Sequence, residues 1–200
     1  ALDAAGYAEL RAEQARRRDA GDVKQLGIGV SVYVEITGGV DPMGEAAKIE
    51  VKDDGSALVY TGTSPHGQGH DTAWSMIAND QTGIPMDRIT LVWGDTDLVP
   101  EGGGTMGSRS LQQGGAAVNQ AAIELVEKAQ KLAASLLEAD EADIVLDKDK
   151  GAFHVAGTPA VAKTWADLAV AAKGQGDEMT IATRFDAGQA TFPFGAHVAV

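Results

Sequence analysis

Two glycine-rich segments contain the residues best suited to hold a ligand. Residues 61–71 (TGTSPHGQGHD) lead from a predicted strand into a predicted helix, and residues 101–110 (EGGGTMGSRS) lead into a longer helix. Glycine lets the backbone approach a ligand closely and adopt positive φ angles, so that successive N–H groups can converge on one acceptor. A helix that begins at such a turn adds unpaired N–H donors and a partial positive charge. Both segments are therefore candidate anion-binding loops.

The distribution of charge supports this interpretation. Residues 55–70 contain no Asp, Glu, Lys or Arg, and residues 102–123 contain no acidic residue and a single arginine, Arg109. The whole chain has a formal net charge of −13, so the absence of carboxylates at these turns leaves room for an anion. The pair of loops predicts a phosphate-bearing ligand, with Arg109 as a candidate counter-charge. The alternative for either loop alone is a turn without a ligand.

Known short motifs fit these segments less well. Residues 102–110 have the glycine spacing of a P-loop, but Ser108 stands where the phosphate-binding lysine is needed. His66 and His70 are four residues apart, but two glycines lie between them and the glutamate base of a zinc protease is missing. No segment resembles the strained nucleophile turn of a Ser–His–Asp hydrolase. An NTPase, a zinc site and a serine hydrolase are all disfavoured.

Composition excludes several other classes. The chain has 200 residues, 44% of them hydrophobic and 22% charged, which is ordinary for a globular protein with a real core. The net negative charge repels nucleic acid, so no nucleic-acid partner is expected. No cysteine is present, which excludes disulfides and thiolate metal ligands. No apolar run approaches the roughly 20 residues of a membrane span, so we expect a cytoplasmic chain without one. Both ends look cut from a longer polypeptide.

Hydrophobic periodicity predicts an α+β fold built from hairpin-based mixed sheets packed with helices. The expected helices cover residues 3–20, 71–82, 113–138 and 164–172, and the expected strands cover 27–36, 47–51, 57–60, 89–93, 144–146, 152–155, 178–185 and 195–200. Asp53-Asp54-Gly55 and Asp149-Lys150-Gly151 are hairpin turn signals. Thr164 is a plausible N-cap. Strands occur in hairpins with helices between groups, which favours α+β over a doubly wound sheet.

At the two loops the sequence resembles the large subunit of molybdenum hydroxylases of the xanthine dehydrogenase / aldehyde oxidase superfamily, and in particular the branch with aerobic carbon monoxide dehydrogenase. Residues 26–38 resemble the strand that opens the second molybdenum-binding region of that family. Residues 61–70 resemble its Gly-Gln-Gly loop, and residues 104–110 resemble its cofactor loop. The likeness runs in order from residues 13–18 to 194–197. It implies one fragment of the molybdopterin-binding domain over 1–200, with a helix and linker at 1–26 and the α+β cofactor-binding region at 27–200.

The resemblance also implies roles for individual residues. Gln68 would hydrogen-bond an oxo ligand on molybdenum, and Gly107 would lie beside the metal. The cofactor would be a molybdenum–pyranopterin extended as the cytosine dinucleotide, whose sulfur atoms hold the metal without protein ligands. The residues expected to contact it are Gly67, Gln68, Gly69, His70, Thr105, Met106, Gly107, Ser108, Arg109 and Ser110.

Other parts of the family's machinery have no match in this sequence. The catalytic glutamate near the subunit's C-terminus is absent, and Glu35, Glu45 and Glu101 lie near glycines but outside that motif. The substrate loop, the iron–sulfur module and the flavin module are also expected elsewhere. The implied parent reaction is RH + H2O → ROH, with two electrons passed to molybdenum and a small-molecule substrate such as carbon monoxide, an aldehyde, a purine or an N-heterocycle. The fragment alone is expected to show no turnover and to retain little cofactor.

Two alternatives from other classes remain open at this point. The chain could be a stand-alone binding module for a phosphorylated small molecule that uses the same glycine-rich loops. It could also be a purely structural domain, in which case Gln68→Ala and Arg109→Ala would leave the activity of the intact enzyme unchanged.

Overall fold

Helices and mixed sheets make up the fold, which confirms the α+β class. A computed structural model of the protein describes residues 1–38 and 44–200. The helices of these residues are α1 Tyr7–Asp19, α2 His70–Thr82, α3 Ala116–Leu137 and α4 Trp165–Gly174. Their strands are β1 Gly29–Val34, β2 Glu45–Val51, β3 Ala57–Thr61, β4 Ile89–Val92, β5 Ile144–Asp147, β6 Ala152–Val155, β7 Ala162–Thr164, β8 Thr180–Phe185 and β9 Phe194–Ala199. The short strand β7 was not predicted.

The chain divides into two units, residues 1–37 with 191–200, and residues 38–190. The first unit contains α1 and a two-stranded antiparallel ribbon of β1 and β9. All six residues of β1 are exposed, and the valines at 30, 32 and 34 share one face of the ribbon. The predicted division at residue 26, between an N-terminal helix with its linker and the cofactor-binding region, stays a prediction.

The second unit is built on a four-stranded sheet of order β4-β3-β2-β8. β2 pairs antiparallel with β3 and with β8, and the β2–β3 hairpin closes around Gly55 as predicted. β3 pairs with β4 in the parallel direction, and α2 connects the two strands. This β3–α2–β4 crossover is the one parallel step in a sheet that is otherwise antiparallel among the described residues. The carboxyl ends of β3 and β4 therefore lie at the same edge of the sheet.

The long helix α3 covers one face of this sheet. Its buried stripe is rich in alanine, which lets the helix approach the strands closely, and it includes Val118 and Leu125 with no exposed surface. Each large side chain of this kind contributes about 1.5–3 kcal/mol through burial. The sheet contributes inward-facing residues of β2 such as Ala47 and Ile49. The apolar periodicity that predicted this helix therefore marks the face that builds the core.

The helix α4 packs beside a three-stranded sheet of β5, β6 and β7. Thr164 accepts a hydrogen bond from the backbone N–H of Asp167, and the Asp167 carboxylate accepts one from the backbone N–H of Thr164, which confirms the predicted N-cap as a complete capping box. Trp165 anchors the helix: its indole N–H donates to the Thr82 carbonyl at 2.9 Å, and the Phe153 ring meets it edge-on at 5.0 Å.

Candidate cofactor-binding cleft

The two glycine-rich loops line a common cleft. Its volume is ≈ 600 Å³, and both loops and the start of α2 form its walls. The described residues that line it are Gln68, His70, Ala73, Trp74, Thr105, Met106, Gly107, Ser108, Ser110 and Leu111. None of these residues is acidic. Gln68 and Ser108 therefore share one side of the molecule, as a ligand held by both loops requires.

The parallel pair of strands explains why the loops meet. The first loop, residues 62–69, follows the carboxyl end of β3, and the second loop, residues 93–109, follows the carboxyl end of β4. Because these strands are neighbours in a parallel ladder, both loops leave the sheet at the same edge. Ligands in sheets with parallel strands commonly bind outside the carboxyl ends of the strands. Local sequence patterns predicted both loops, but they did not reveal the ladder that joins them.

Some of the loop glycines are required for packing. A Cβ atom at Gly102 would lie 2.5 Å from the Gly62 Cα, because the two loops cross there backbone against backbone. A Cβ at Gly103 would lie 2.5 Å from the Arg109 Cζ, and one at Gly114 would lie 2.6 Å from the Thr63 methyl group. Such distances leave no space for any side chain. These glycines bring the loops together.

Other loop glycines are required for backbone conformation. Gly67, Gly69 and Gly107 have φ angles of 100°, 75° and 55°, and an added Cβ would meet nothing within 4 Å at any of them. Ser108 also has a positive φ, of 52°, which is uncommon for a residue with a side chain. The cleft is thus lined by backbone in left-handed conformations with open space beside it, an arrangement that lets a ligand approach amide groups directly.

Gln68 is exposed at the mouth of the cleft. Its side-chain Oε1 accepts a hydrogen bond from the backbone N–H of His66, which fixes the orientation of the carboxamide. The Nε2 group donates to none of the described residues and is the natural donor for an acceptor atom on a ligand.

A buried polar network supports the first loop from below. The His70 Nδ1 lies 2.8 Å from the Thr63 carbonyl, and the imidazole stacks on the Trp74 ring at 4.9 Å. The Trp74 indole N–H donates to the Thr63 hydroxyl at 3.0 Å, and that hydroxyl lies 2.7 Å from the hydroxyl of Thr61. Burial makes each of these bonds costly to break. Thr63 and Trp74 were not predicted as site residues, although they fix the wall that His70 presents.

Two helical N-termini meet the cleft. The N-cap residue of α2 is Gly69, which provides no side-chain cap, and α3 is preceded by a turn of π-helix, Ser110–Gly115, that also lacks one. Uncapped N-termini leave backbone N–H groups to be satisfied by water or by a ligand. They also carry a partial positive charge that favours anions. π-helical turns are rare and are frequent at functional sites.

Arg109 lies beneath the second loop and is not among the described residues that line the cleft. Its side chain is only 4% exposed and pairs with the fully buried carboxylate of Glu45 at 2.7 Å. The guanidinium also donates to the Gly104 carbonyl at 2.9 Å, and Glu45 accepts from the Gly103 N–H at 3.1 Å. Direct contact between Arg109 and phosphate stays a prediction, and this placement does not favour it.

The other predicted site residues fall into two groups. Gln68, His70, Thr105, Met106, Gly107, Ser108 and Ser110 line the cleft. Gly67 and Gly69 belong to the same loop and shape its backbone. Glu45 was missed, although a signal was available. Alternation along β2 places Glu45 on the inward face with Ala47 and Ile49, and an acid at a core position requires a partner.

Two negative findings apply to residues 1–38 and 44–200. They contain no cluster of three or more His, Cys, Asp or Glu side chains that could hold a metal ion. None of their helices is both long and apolar enough to cross a lipid bilayer.

Comparison with known proteins identifies the class to which this fold and cleft belong. The molybdopterin cofactor-binding domain family matches the chain over residues 1–200. The chain belongs to this family.

Relatives of the chain include the large chain of a carbon monoxide dehydrogenase and a subunit of another dehydrogenase complex. The carbon monoxide dehydrogenase large chain of Afipia carboxidovorans is 36% identical over all of this chain and 27% of its own length. The gamma subunit of the 6-hydroxypseudooxynicotine dehydrogenase complex of Paenarthrobacter nicotinovorans is 38% identical over 79% of this chain and 19% of its own length.

Solved structures agree with these relatives. A crystal structure of the Cu,Mo-carbon monoxide dehydrogenase covers 98% of this chain at 35% identity with a TM-score of 0.83, and the match spans 27% of that protein's chain. Quinoline 2-oxidoreductase from Pseudomonas putida 86 covers 98% of this chain at 28% identity with a TM-score of 0.80, again over 27% of its own chain. The chain thus spans between about a fifth and about a quarter of the length of these relatives. The resemblance stated from the sequence is confirmed.

Proposed function

We propose that the cleft binds a molybdenum–pyranopterin cofactor in its cytosine dinucleotide form, as part of the large subunit of a molybdenum hydroxylase. One observation carries the proposal: two glycine-rich loops, separated along the chain by α2 and β4, line one acid-free cleft at which two uncapped helical N-termini meet. The membership of the family supports the ligand class.

The residues of the cleft fit such a cofactor. Left-handed backbone at Gly67, Gly69 and Gly107 opens space that a Cβ would otherwise narrow, and hydroxyls of Thr105 and Ser110 lie on the same wall. A pyrophosphate group binds where hydrogen-bond donors are present and carboxylates are absent. The residues that line the cleft meet both requirements. The pterin is a flat aromatic group, and the apolar side chains of Met106 and Leu111, both exposed, offer a surface for it.

Gln68 is the proposed catalytic residue of this chain. When bound, the cofactor would supply the redox chemistry. The Gln68 carboxamide, held through its oxygen by the His66 N–H, would direct its Nε2 donor at an oxygen ligand of the metal. Arg109, which is buried beneath the second loop, would influence cofactor binding indirectly by holding that loop in its conformation.

The activity of the whole protein follows from the relatives and is part of the proposal. We propose water-dependent hydroxylation of a small substrate, with electrons leaving through iron–sulfur and flavin partner subunits. A stand-alone module for a phosphorylated metabolite is less well supported, because this chain matches only 27% and 19% of the lengths of the two relatives described above.

The cofactor is tested by analysing the full-length large subunit. We expect about one molybdenum atom per subunit by plasma mass spectrometry, and release of CMP after mild acid hydrolysis. Release of molybdopterin without a nucleotide would contradict the cytosine dinucleotide form. Absence of both metal and pterin would contradict the proposed function.

The role of Gln68 is tested with Gln68→Ala and a matched control, Gln175→Ala, which changes an exposed glutamine at the end of α4. Loss of a positioned donor beside a metal centre lowers activity by about 10- to 100-fold. We therefore expect Gln68→Ala to reduce kcat by roughly that factor, with molybdenum content retained, while Gln175→Ala behaves as wild type. Equal activity in both variants would remove Gln68 from the mechanism.

A further inference from the structure

We infer that the buried Glu45–Arg109 pair is a positioning element that fixes the second glycine-rich loop in its ligand-binding shape. The inference rests on the proposed function for its ligand. Its structural basis is independent of that function, because it concerns contacts inside the protein.

The pair joins three separate parts of the second unit. Glu45 lies at the start of β2, with 0% of its surface exposed, and faces the core. Its carboxylate accepts hydrogen bonds from the Gly103 N–H at 3.1 Å and from the Arg109 guanidinium at 2.7 Å. The same guanidinium nitrogen, Nη1, donates to the Gly104 carbonyl at 2.9 Å. The strand, the beginning of the loop and the end of the loop are therefore held by one charge network.

The segment enclosed by these bonds is the wall of the cleft. Residues 105–108 lie between Gly104 and Arg109, all four line the cleft, and two of them have left-handed backbone. A positive φ at Ser108 is unfavourable unless the surroundings impose it. The network holds both ends of this short segment, so it can impose that conformation without touching the ligand.

The space around the pair also points to positioning. Gly103 has no room for a side chain because the guanidinium lies against it, and Gly62 and Gly102 cross beside the Glu45 carboxylate. Two glycine contacts are thus arranged around a buried charge pair. Two apolar side chains in place of this pair would leave the protein equally or more stable. They would provide no hydrogen-bond acceptor for the Gly103 N–H and no donor for the Gly104 carbonyl.

The test compares a double apolar variant with a conservative one in the full-length subunit. Glu45→Met/Arg109→Met removes both charges together and avoids leaving one buried alone. Glu45→Gln keeps an acceptor oxygen for the Gly103 N–H. Phe153→Leu is the control, since it weakens the core next to α4 and does not line the cleft. Melting temperature, molybdenum content and amide hydrogen exchange of residues 103–110 are measured for each, the exchange also in cofactor-free protein.

We expect the double variant to melt near the wild-type temperature, yet to lose at least about 10-fold in molybdenum content, the scale on which outer-shell residues act. Its loop amides should exchange faster with or without cofactor. Glu45→Gln should retain part of the protection, and Phe153→Leu should melt earlier with normal loop exchange. A folded double variant with wild-type hydrogen exchange in residues 103–110 and wild-type molybdenum content would overturn the inference. The inference would also be overturned if the double variant did not fold while the other two variants did.

A wild-type subunit without molybdenum would count against the proposed function only. The exchange comparison in cofactor-free protein would still decide whether the pair shapes the loop, so the two failures are distinguishable.

Discussion

Single glycines in the two loops serve different purposes. Gly62 and Gly102 let the loops cross, since any side chain there would collide with backbone. Gly67 has open space around it and is required only for its φ of 100°, which side chains rarely adopt. The first kind of glycine stabilises the fold, and the second kind shapes the surface that a ligand meets.

Alanine substitutions should separate these two kinds. Gly62→Ala places a methyl group against the Gly102 backbone, so we expect the melting temperature to fall by about 5 °C or more, as a loss of a few kcal/mol produces in a protein of this size. Gly67→Ala costs only local backbone strain, on the order of 1–3 kcal/mol, and should chiefly reduce cofactor content. Calorimetry of this 200-residue chain and molybdenum analysis of the full-length subunit provide the two readouts. A larger fall in melting temperature for Gly67→Ala would contradict this division.

Residue types and spacing predicted the two loops that supply most of the residues lining the cleft, because a glycine-rich segment without acidic residues can be recognised locally in a sequence. The individual contact residues were implied by the family resemblance. The place of Arg109 could not be predicted in this way. A lone arginine in an acid-free loop suggests a phosphate ligand, but its partner Glu45 is 64 residues away along the chain. Only the folded structure, which brings the start of β2 beside the second loop, shows that the Arg109 charge is paired with a carboxylate inside the protein.

Among the elements, α4 shows how much a local signal can determine. Thr164 was predicted as its N-cap from residue type alone, and the capping box with Asp167 is present. Hydrogen bonds from the backbone N–H and the hydroxyl of Thr164 lower the pKa of the Asp167 carboxyl. By contrast, the parallel pairing of β3 with β4 was not predicted, because apolar periodicity identifies a strand without identifying its neighbour.

The capping box should make α4 sensitive to acid. A carboxyl whose pKa is lowered in the folded state stabilises the protein above its unfolded pKa of about 4, and this contribution is lost as pH falls through the folded value. We expect Asp167→Asn to be less stable than wild type at pH 7, with the difference closing below about pH 4. Urea denaturation of the chain at several pH values, followed by circular dichroism, measures this. If the difference in free energy of unfolding between wild type and Asp167→Asn did not change with pH, the Asp167 charge would contribute nothing to stability.

Thr164→Ala tests the same cap from its other side. Removal of an N-cap hydroxyl typically costs about 1 kcal/mol, so the free energy of unfolding should fall by roughly that amount at pH 7. Thr158→Ala, an exposed threonine outside the helices, is the control and should unfold as wild type does. Equal stability of the two variants would contradict a capping role.

At the scale of the whole molecule, the two units differ in how they are built. Residues 38–190 are continuous in sequence and contain the four-stranded sheet, the buried core and both glycine-rich loops. Residues 1–37 and 191–200 form a unit from the two ends of the chain, with an exposed ribbon and no buried residue in α1. A two-stranded ribbon alone is marginally stable in water.

We therefore expect a shortened chain of residues 38–190 to fold without the terminal segments. A domain of about 150 residues buries enough surface to fold independently. A cooperative thermal transition and dispersed amide resonances should be observed for it, and a peptide pair of residues 1–37 and 191–200 should show neither. An unfolded 38–190 chain would mean that the terminal unit contributes to the core.

The shared origin of both loops on the β3–β4 ladder has a consequence for loss of the ligand. Separation of these two strands would displace both walls together. Damage to that ladder should therefore abolish retention in an all-or-none manner, and half-assembled states that grip only one end of a ligand should be sparsely populated. A short run of paired backbone that does not itself line the cleft would then set the rate at which the protein loses its ligand.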